Sequence, residues 1–266
     1  MTTAWAGGVV GDLARAVLAP NPGPMTLEGT NTWVLRAPGA AEAVVVDPGP
    51  VDVEEHLAAV FAASGQVALT LLTHHHGDHT GAVPRWQELT GSPVRGAGRG
   101  TPLADGEVLT AGGVTVEVLN TPGHTPDSVC LLLPDGLLLT GDTVLGRGST
   151  VVPWPEGDLA DYLASLDRLV DLVRAGRVRR LAPGHGPVVE EPLALLEQLR
   201  RHRHERLDQV RGAVAGGART AEEVVRAVYG ELDGTLARAA RSTVQAALVY
   251  LGHTPDRARP GISDGA

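Results

Sequence analysis

Apolar positions along the chain fall into two kinds of pattern. Short runs bounded by Gly, Pro or Asp read as buried strands: Ala43–Val46, Val67–Leu72, Val129–Leu133 and Leu137–Leu139. Val114–Leu119 alternates apolar with polar, as a half-buried strand does. Asp135-Gly136, set between two leucine runs, predicts a tight hairpin, and Asp105-Gly106 a weaker one. Elsewhere the spacing is helical. Val53, Leu57, Val60 and Phe61 share one helix face, and Thr80–Leu89 reads as helix. Leu159, Tyr162, Leu163, Leu166, Leu169, Val170 and Val173 form a clean amphipathic stripe. From about residue 190 onwards the chain is helical. Leu196, Leu199, Arg203, Leu207 and Val210 lie on one face, and two further helices follow over Thr220–Tyr229 and Thr235–Leu251. Blocks of strands each followed by a helix predict an α/β sandwich of two sheets with helices outside.

The chemistry-bearing residues stand where the predicted strands end. Thr73-His74-His75-His76-Gly77-Asp78-His79 follows the first long apolar run. Thr121-Pro122-Gly123-His124 follows Val114–Leu119, Gly141-Asp142 follows Leu137–Leu139, and Pro183-Gly184-His185-Gly186 follows Arg179-Arg180-Leu181. Imidazole and carboxylate are the donors that zinc, iron and manganese accept, and loops at strand ends are held rigid by the sheet beneath. A purification tag would sit at a terminus and would not be interrupted by Gly-Asp. His74 and His76, two apart, can face one ion together, while Asp78 and His79 point past the Gly77 turn. Seven residues are therefore candidate ligands: His74, His76, Asp78, His79, His124, Asp142 and His185. His75 should face away from them.

The set T-H-x-H-x-D-H, P-G-H, G-D and P-G-H-G resembles the metallo-β-lactamase-fold hydrolases, with every position filled in order. That resemblance implies a four-layer αββα sandwich and two divalent ions, zinc foremost, with iron or manganese as alternatives. It implies His74, His76 and His124 on one ion, Asp78, His79 and His185 on the other, and Asp142 bridging. A hydroxide shared by the ions would be the nucleophile, with Asp78 orienting it as the catalytic carboxylate. Zinc β-lactamases of the commonest kind carry cysteine where this chain has Asp142, so efficient β-lactam turnover is not expected. The segment Asn21-Pro22-Gly23-Pro24-Met25-Thr26, with Gly29-Thr30-Asn31-Thr32, closely resembles the β-lactamase-like protein 2 group, whose members include an endoribonuclease. By that likeness Asn31 lies near the metals and could meet substrate. His202, Arg203 and Arg206 resemble the same place in that group and would contact an anionic substrate; an ion pair fastening the helix to the body is the other expectation for Arg203. The likeness implies a winged-helix-like C-terminal segment. Here Gly252-His253-Thr254-Pro255 and a Pro/Gly/Arg tail replace the wing.

Composition refines this picture. The chain has 266 residues, 43% hydrophobic, enough for a sizeable core, and no apolar run as long as a membrane span. Met1–Trp5 lacks a basic region and Asp12 interrupts the apolar stretch, so no export signal is expected. One cysteine, Cys130, inside a predicted strand, fits a reducing cytoplasm and a core position. The net charge of −9 is uneven: residues 1–192 carry −11 and residues 193–266 carry +2. This divides the chain into a catalytic domain over 1–192 and a helical appendage over 193–266. The loop Thr143–Pro155, with Arg147, Thr150 and Trp154, is long enough to cover a site. The expected substrate is a small molecule or single-stranded RNA. Phosphodiester cleavage leads narrowly on the basic helix, and acyl-ester or thioester hydrolysis is the alternative.

Overall fold

The computed structural model describes residues 4–232 and 234–254. The elements in order are β1 (Gly8–Val10), β2 (Ala14–Leu18), β3 (Asn31–Leu35), β4 (Glu42–Val46), α1 (Glu54–Ser64), β5 (Gln66–Leu71), α2 (Gly77–Thr80), α3 (Val83–Thr90), β6 (Val94–Arg95), β7 (Val108–Ala111), β8 (Val114–Asn120), β9 (Val129–Leu132), β10 (Leu137–Gly141), α4 (Leu159–Arg174), β11 (Arg180–Pro183), α5 (Pro192–Ala215), α6 (Ala221–Tyr229) and α7 (Gly234–Tyr250). One sheet runs β1-β2-β3-β4-β5-β6 and the other β11-β10-β9-β8-β7.

The period-two pattern of the strands sorts their side chains into three layers of core. Trp33, Leu35, Val44, Val46, Leu131 and Leu139 fill the space between the sheets. Their strand neighbours Val34 and Val45 turn outward onto Leu57, Val60 and Trp86 of α1 and α3. Cys130, Leu132 and Leu138 turn the other way, onto Tyr162, Leu166 and Leu169 of α4. The result is the four-layer αββα sandwich. Leu199, Leu207 and Val210 of α5, Val224 of α6 and Val244 of α7 join the α4 layer in one continuous cluster. Among the described residues no helix is long and apolar enough to cross a membrane.

Several local expectations change. The helix expected from Thr80 begins earlier: α2 is a single turn starting at Gly77, so Asp78 and His79 are presented from a helical turn. Phe61 is 46% exposed, because the buried arc of α1 centres on His56, Leu57, Val60 and Ser64. The Asp135-Gly136 hairpin forms, joining antiparallel β9 and β10. The other hairpin turns at Gly112-Gly113, between β7 and β8, and not at Asp105-Gly106. β1 and β2 were not anticipated. No strand pair follows α7 up to residue 254, and the tail from Pro255 lies outside the described residues.

Cys130 is fully buried, and burial pushes its thiol up to about 11. That makes it a core residue and not a nucleophile. His56 is a second buried titratable group away from the metal-ligand candidates. Thr32 Oγ1 donates to the Asp47 carbonyl at 2.6 Å and so accepts from His56 Nε2 at 2.8 Å. Burial pushes this imidazole down to about 4 from its ordinary 6.5. The unfolded chain therefore takes up the proton first on acidification, and stability is lost as pH falls from about 6.5 towards about 4. Between about pH 7.5 and about pH 5 the wild type should lose about 2 kcal/mol more stability than His56→Gln, measured by urea unfolding. Parallel pH profiles would show that His56 is not the group responsible.

Candidate metal centre

The four ligand-bearing loops leave the ends of β5, β8, β10 and β11 at one edge of the sandwich, and they meet. His76 Nδ1 lies 3.0 Å from His124 Nε2, and His79 Nε2 lies 3.3 Å from His185 Nε2. The ligand atoms of His74, His76 and His124 fall within 4.8 Å of one another, as do those of Asp78, His79 and His185. Asp142 stands between the trios. Its Oδ1 is 3.4 Å from His79 Nε2, and its Oδ2 is 3.4 Å from His185 Nε2 and 3.8 Å from His124 Nε2. Asp78 Oδ2 is 3.1 Å from His185 Nε2.

Outer partners fix which nitrogen of each ring faces inward. Thr73 Oγ1 donates to Asp47 Oδ2 at 2.6 Å, so it accepts from His74 Nδ1 at 3.0 Å, which leaves His74 Nε2 free. His79 Nδ1 donates to Asp47 Oδ2 at 2.9 Å, His124 Nδ1 to the Val151 carbonyl at 2.7 Å, and His185 Nδ1 to the Gly29 carbonyl at 3.1 Å. His76 is turned the other way, with Nε2 held by Glu156 Oε2 at 3.2 Å and Nδ1 inward. Each of the five imidazoles thus keeps the ring nitrogen that its outer partner does not use aimed at the others. His74 Nε2 and Asp142 Oδ1 are buried without any hydrogen-bond partner. Buried lone pairs facing one another are costly unless a cation lies between them, so the donor set fits divalent metal.

The electrostatics agree. Burial alone would raise Asp142, but His185 and His79 hold it well below the usual carboxylate range. Burial works against the charged form of His185, yet Asp142 and Asp78 push it up to about 9. The same opposition, with Asp142 and Asp47 prevailing, raises His79. Without metal the carboxylates draw protons onto these rings, and a bound cation takes over that role and displaces the protons. Gly184 allows the close approach: a Cβ there would sit 2.6 Å from Asp142 Oδ1 and 2.7 Å from His79 Cε1. Gly184→Ala should therefore weaken metal binding at least tenfold in a chelator competition while the far-ultraviolet circular dichroism stays unchanged, since displaced ligand support typically costs about 10–100-fold in affinity. Unaltered affinity would show that the loop yields without moving Asp142.

His75 faces outward, bonded to Asp127 at 2.8 Å and to Glu156. The proposed substrate contacts are placed differently from expectation. Asn31 is fully buried. Its Nδ2 donates to the carbonyls of Pro183 and Gly186, and its Oδ1 accepts from Trp5 Nε1 at 2.8 Å. It braces the loop carrying His185 and has no polar atom left for substrate. Arg203 is buried and directs its guanidinium at the Thr150 carbonyl and Ser149 Oγ, 4.9 Å over the Tyr162 ring. No carboxylate pairs with it among the described residues, so the expected ion pair is replaced by a carbonyl and an aromatic face. Arg206 lies 4.3 Å over the Tyr229 ring and donates to Gln209, against α6. His202 does not line the cavity above the ligands. Arg147 is tied to Glu28. Asp47, Glu156 and the Val151 carbonyl, which orient the rings, were not anticipated. Asp47 ends β4 ahead of Pro48-Gly49, with φ at +54°, a turn signal that also marks strand-end sites.

A family model described as the metallo-beta-lactamase superfamily matches residues 25–102 and 91–185, which together carry all seven candidate ligands. The chain belongs to that superfamily. This chain is a hydrolase of that superfamily. A beta-lactamase-like protein 2 homolog of Drosophila melanogaster is 32% identical over 73% of this chain and 71% of its own length. An atrochrysone carboxyl ACP thioesterase of Aspergillus fumigatus is 36% identical over 83% of this chain and 75% of its own. Among solved structures, a beta-lactamase domain protein from Burkholderia ambifaria aligns with TM-score 0.80 at 26% identity, covering 92% of this chain and 87% of that one. A superfamily protein from Thermus thermophilus aligns with TM-score 0.76 at 26% identity, covering 90% and 93%. The four-layer fold and the superfamily hydrolase assignment thus rest on sequence and structure together, and the His/Asp clusters suit divalent metal.

Proposed function

We infer that this hydrolase uses two divalent ions, zinc foremost, to cleave acyl esters or thioesters. His74, His76 and His124 would hold one ion, Asp78, His79 and His185 the other, with Asp142 between. When bound, such ions polarise a carbonyl oxygen and supply a nucleophile from water at neutral pH. The chain's own residues do the rest. Asp47, Glu156 and the Gly29 and Val151 carbonyls hold the imidazoles in their inward tautomers. Asp78, whose side chain is 30% exposed, opens onto the cavity and can take a proton from water at its carboxylate.

The observation carrying the acyl reading is the composition of the cavity over the ligands. Besides the ligands its walls are mostly apolar, with Met25, Leu145, Val151, Pro153 and Leu236 beside Ser149 and Thr150, and no arginine lines it among the described residues. Among the described residues the one charged side chain at its rim besides the ligands is Glu156, a carboxylate that offers an anion no cationic partner. RNA would need cationic side chains leading to the metals. The basic helix that favoured phosphodiester cleavage spends Arg203 on Thr150 and Arg206 on Tyr229. A relative named as a thioesterase, sharing 36% identity, points the same way.

A screen of zinc-loaded protein on acyl thioesters, p-nitrophenyl esters, single-stranded RNA and nitrocefin tests the reading. Thioester turnover should exceed RNA cleavage at least a hundredfold, and nitrocefin turnover should stay far below the roughly 10 per second of a typical enzyme. RNA cleavage with a steep salt dependence and inert thioesters would reverse the assignment.

A further inference from the structure

Helix α7, in the C-terminal helical part of the chain, forms a wall of the catalytic cavity. Leu236 and Ala239, three residues apart and so on one face, line the same space of about 360 Å³ as His76, Asp78, His124, Asp142 and His185. The helix is anchored further along. Val244, Ala247 and Leu248 are buried in the α4 cluster, and Ser242 Oγ donates to the Trp154 carbonyl at 3.1 Å. The first two turns of α7 are thereby held over the metal ligands while its later turns carry the packing.

Across the cavity stands Met25, in the loop before β3. Met25 is 40% exposed and Leu236 is 56% exposed. A single exposed leucine is ordinary, but here large apolar side chains from two distant segments flank one cavity. Leu145, from the loop after β10, extends the same surface. A catalytic floor of imidazoles and carboxylates under a rim that is mostly apolar, with no arginine among the described residues, suits a substrate polar at one end and hydrocarbon at the other.

Resting on the acyl-hydrolase reading above, we propose that Met25, Leu145, Leu236 and Ala239 form an acyl-chain subsite for a medium-length apolar chain, and that α7 determines chain-length preference. The volume has room for roughly a dozen water-sized groups, hence for a thioester carbonyl with its sulfur and about eight carbons. In the reaction the water oxygen bonds to the acyl carbon and the carbon–sulfur bond breaks. The sulfur leaves with its electron pair and is protonated, giving a carboxylic acid and a thiol. The apolar chain lies against Leu236 throughout, so it binds ground and transition states alike and its length is read mainly in KM.

Two series on the zinc-loaded full chain test this. In the first, kcat/KM is measured on acetyl to dodecanoyl thioesters of one thiol. It should rise about fourfold per methylene, the equivalent of about 0.8 kcal/mol for each buried CH₂, up to about eight carbons and then level off. Leu236→Glu should lower the octanoyl-to-acetyl ratio at least tenfold, and Leu236→Trp should move the plateau to shorter chains. Val249→Glu, on the exposed side of the same helix, should keep the wild-type ratio. In the second series, calorimetric binding of n-alkyl hydroxamates of rising length reports the subsite without turnover. Affinity should climb with length in wild type and lose that dependence in Leu236→Glu. Flat profiles in both series, or Leu236 variants with the wild-type slope, overturn the subsite even where thioesters are cleaved. Thioesters left intact beside a length-dependent hydroxamate affinity would instead overturn the acyl-hydrolase reading and leave the apolar subsite standing.

Discussion

Replacing Asp142 with asparagine should lower hydrolytic activity on the order of 10³-fold and reduce bound metal from two ions to one. Among the described residues Asp142 is the carboxylate that stands within reach of both ligand trios, through His124 on one side and His79 and His185 on the other. Its buried Oδ1 has no hydrogen-bond partner, and the carboxylate charge is kept there by the His185 and His79 imidazoles, whose place a cation would take. Asparagine has nearly the same shape, but it presents one neutral acceptor and an NH₂ donor. That donor would face imidazole nitrogens or a cation, and on the two-ion reading proposed above one oxygen could not serve both ions. Losing one ion's Lewis-acid contribution removes several kcal/mol of transition-state stabilisation, and each 1.36 kcal/mol is tenfold. The loop need not move, because the Asp142 carbonyl accepts from Thr150 Oγ1 at 2.8 Å whichever side chain is present. Elemental analysis, kinetics and circular dichroism on the same preparation separate a lost ion from a lost fold. Two ions bound at wild-type affinity in Asp142→Asn would rule out the bridging role.

The candidate ligands could be read from the sequence because each stands in a short window behind an apolar strand. His74 through His79 span six positions, and the other three are flagged by a glycine before or after them. What holds those ligands was hidden for a physical reason. His79 is oriented by Asp47, 32 residues away, and His76 by Glu156, 80 residues away. His124 is oriented by a backbone carbonyl, which any residue at position 151 would supply. Periodicity found the helix carrying Arg203 and showed that the arginine sits in an apolar stripe. It could not distinguish a carboxylate partner from a carbonyl and a tyrosine face, since each satisfies a buried guanidinium. The helix over Thr235–Leu251 was likewise expected, but a helical reading does not reveal that Leu236 lines a catalytic cavity instead of packing on a neighbour. β1 escaped because it has three residues at the edge of the first sheet, and β2, beside it, because the exposed Arg15 breaks its apolar run.

Arg203→Ala should cost about 3 kcal/mol of folding stability and weaken metal binding, with no effect on the salt dependence of the reaction. The guanidinium is buried, and its removal strips the Thr150 carbonyl of a charged donor, a loss of about 1–3 kcal/mol. The desolvated contact with Tyr162 adds up to about 2 kcal/mol. The effect does not stop at packing. Thr150 Oγ1 donates to the Asp142 carbonyl, and the next residue, Val151, holds His124 Nδ1. Arg203 therefore acts from α5 as a positioning residue: it fixes a loop that in turn orients two ligands without itself touching substrate. For a chain of this size the stability loss corresponds to a melting temperature lowered by about 10 °C. Chelator competition should show a metal affinity lower by about tenfold, within the range for lost outer support. Arg203→Lys should restore part of the stability, because one ammonium donor reaches a carbonyl but lacks the planar face that stacks on tyrosine. Arg206→Ala, which loses the half-exposed contact with Tyr229 and the hydrogen bond to Gln209, should cost about 1 kcal/mol or less and leave metal affinity unchanged. Were either arginine a substrate contact, its alanine variant would instead raise KM for an anionic substrate and flatten the salt slope while the melting temperature stayed near wild type. That result would restore the phosphodiester reading and overturn the role assigned here to α5.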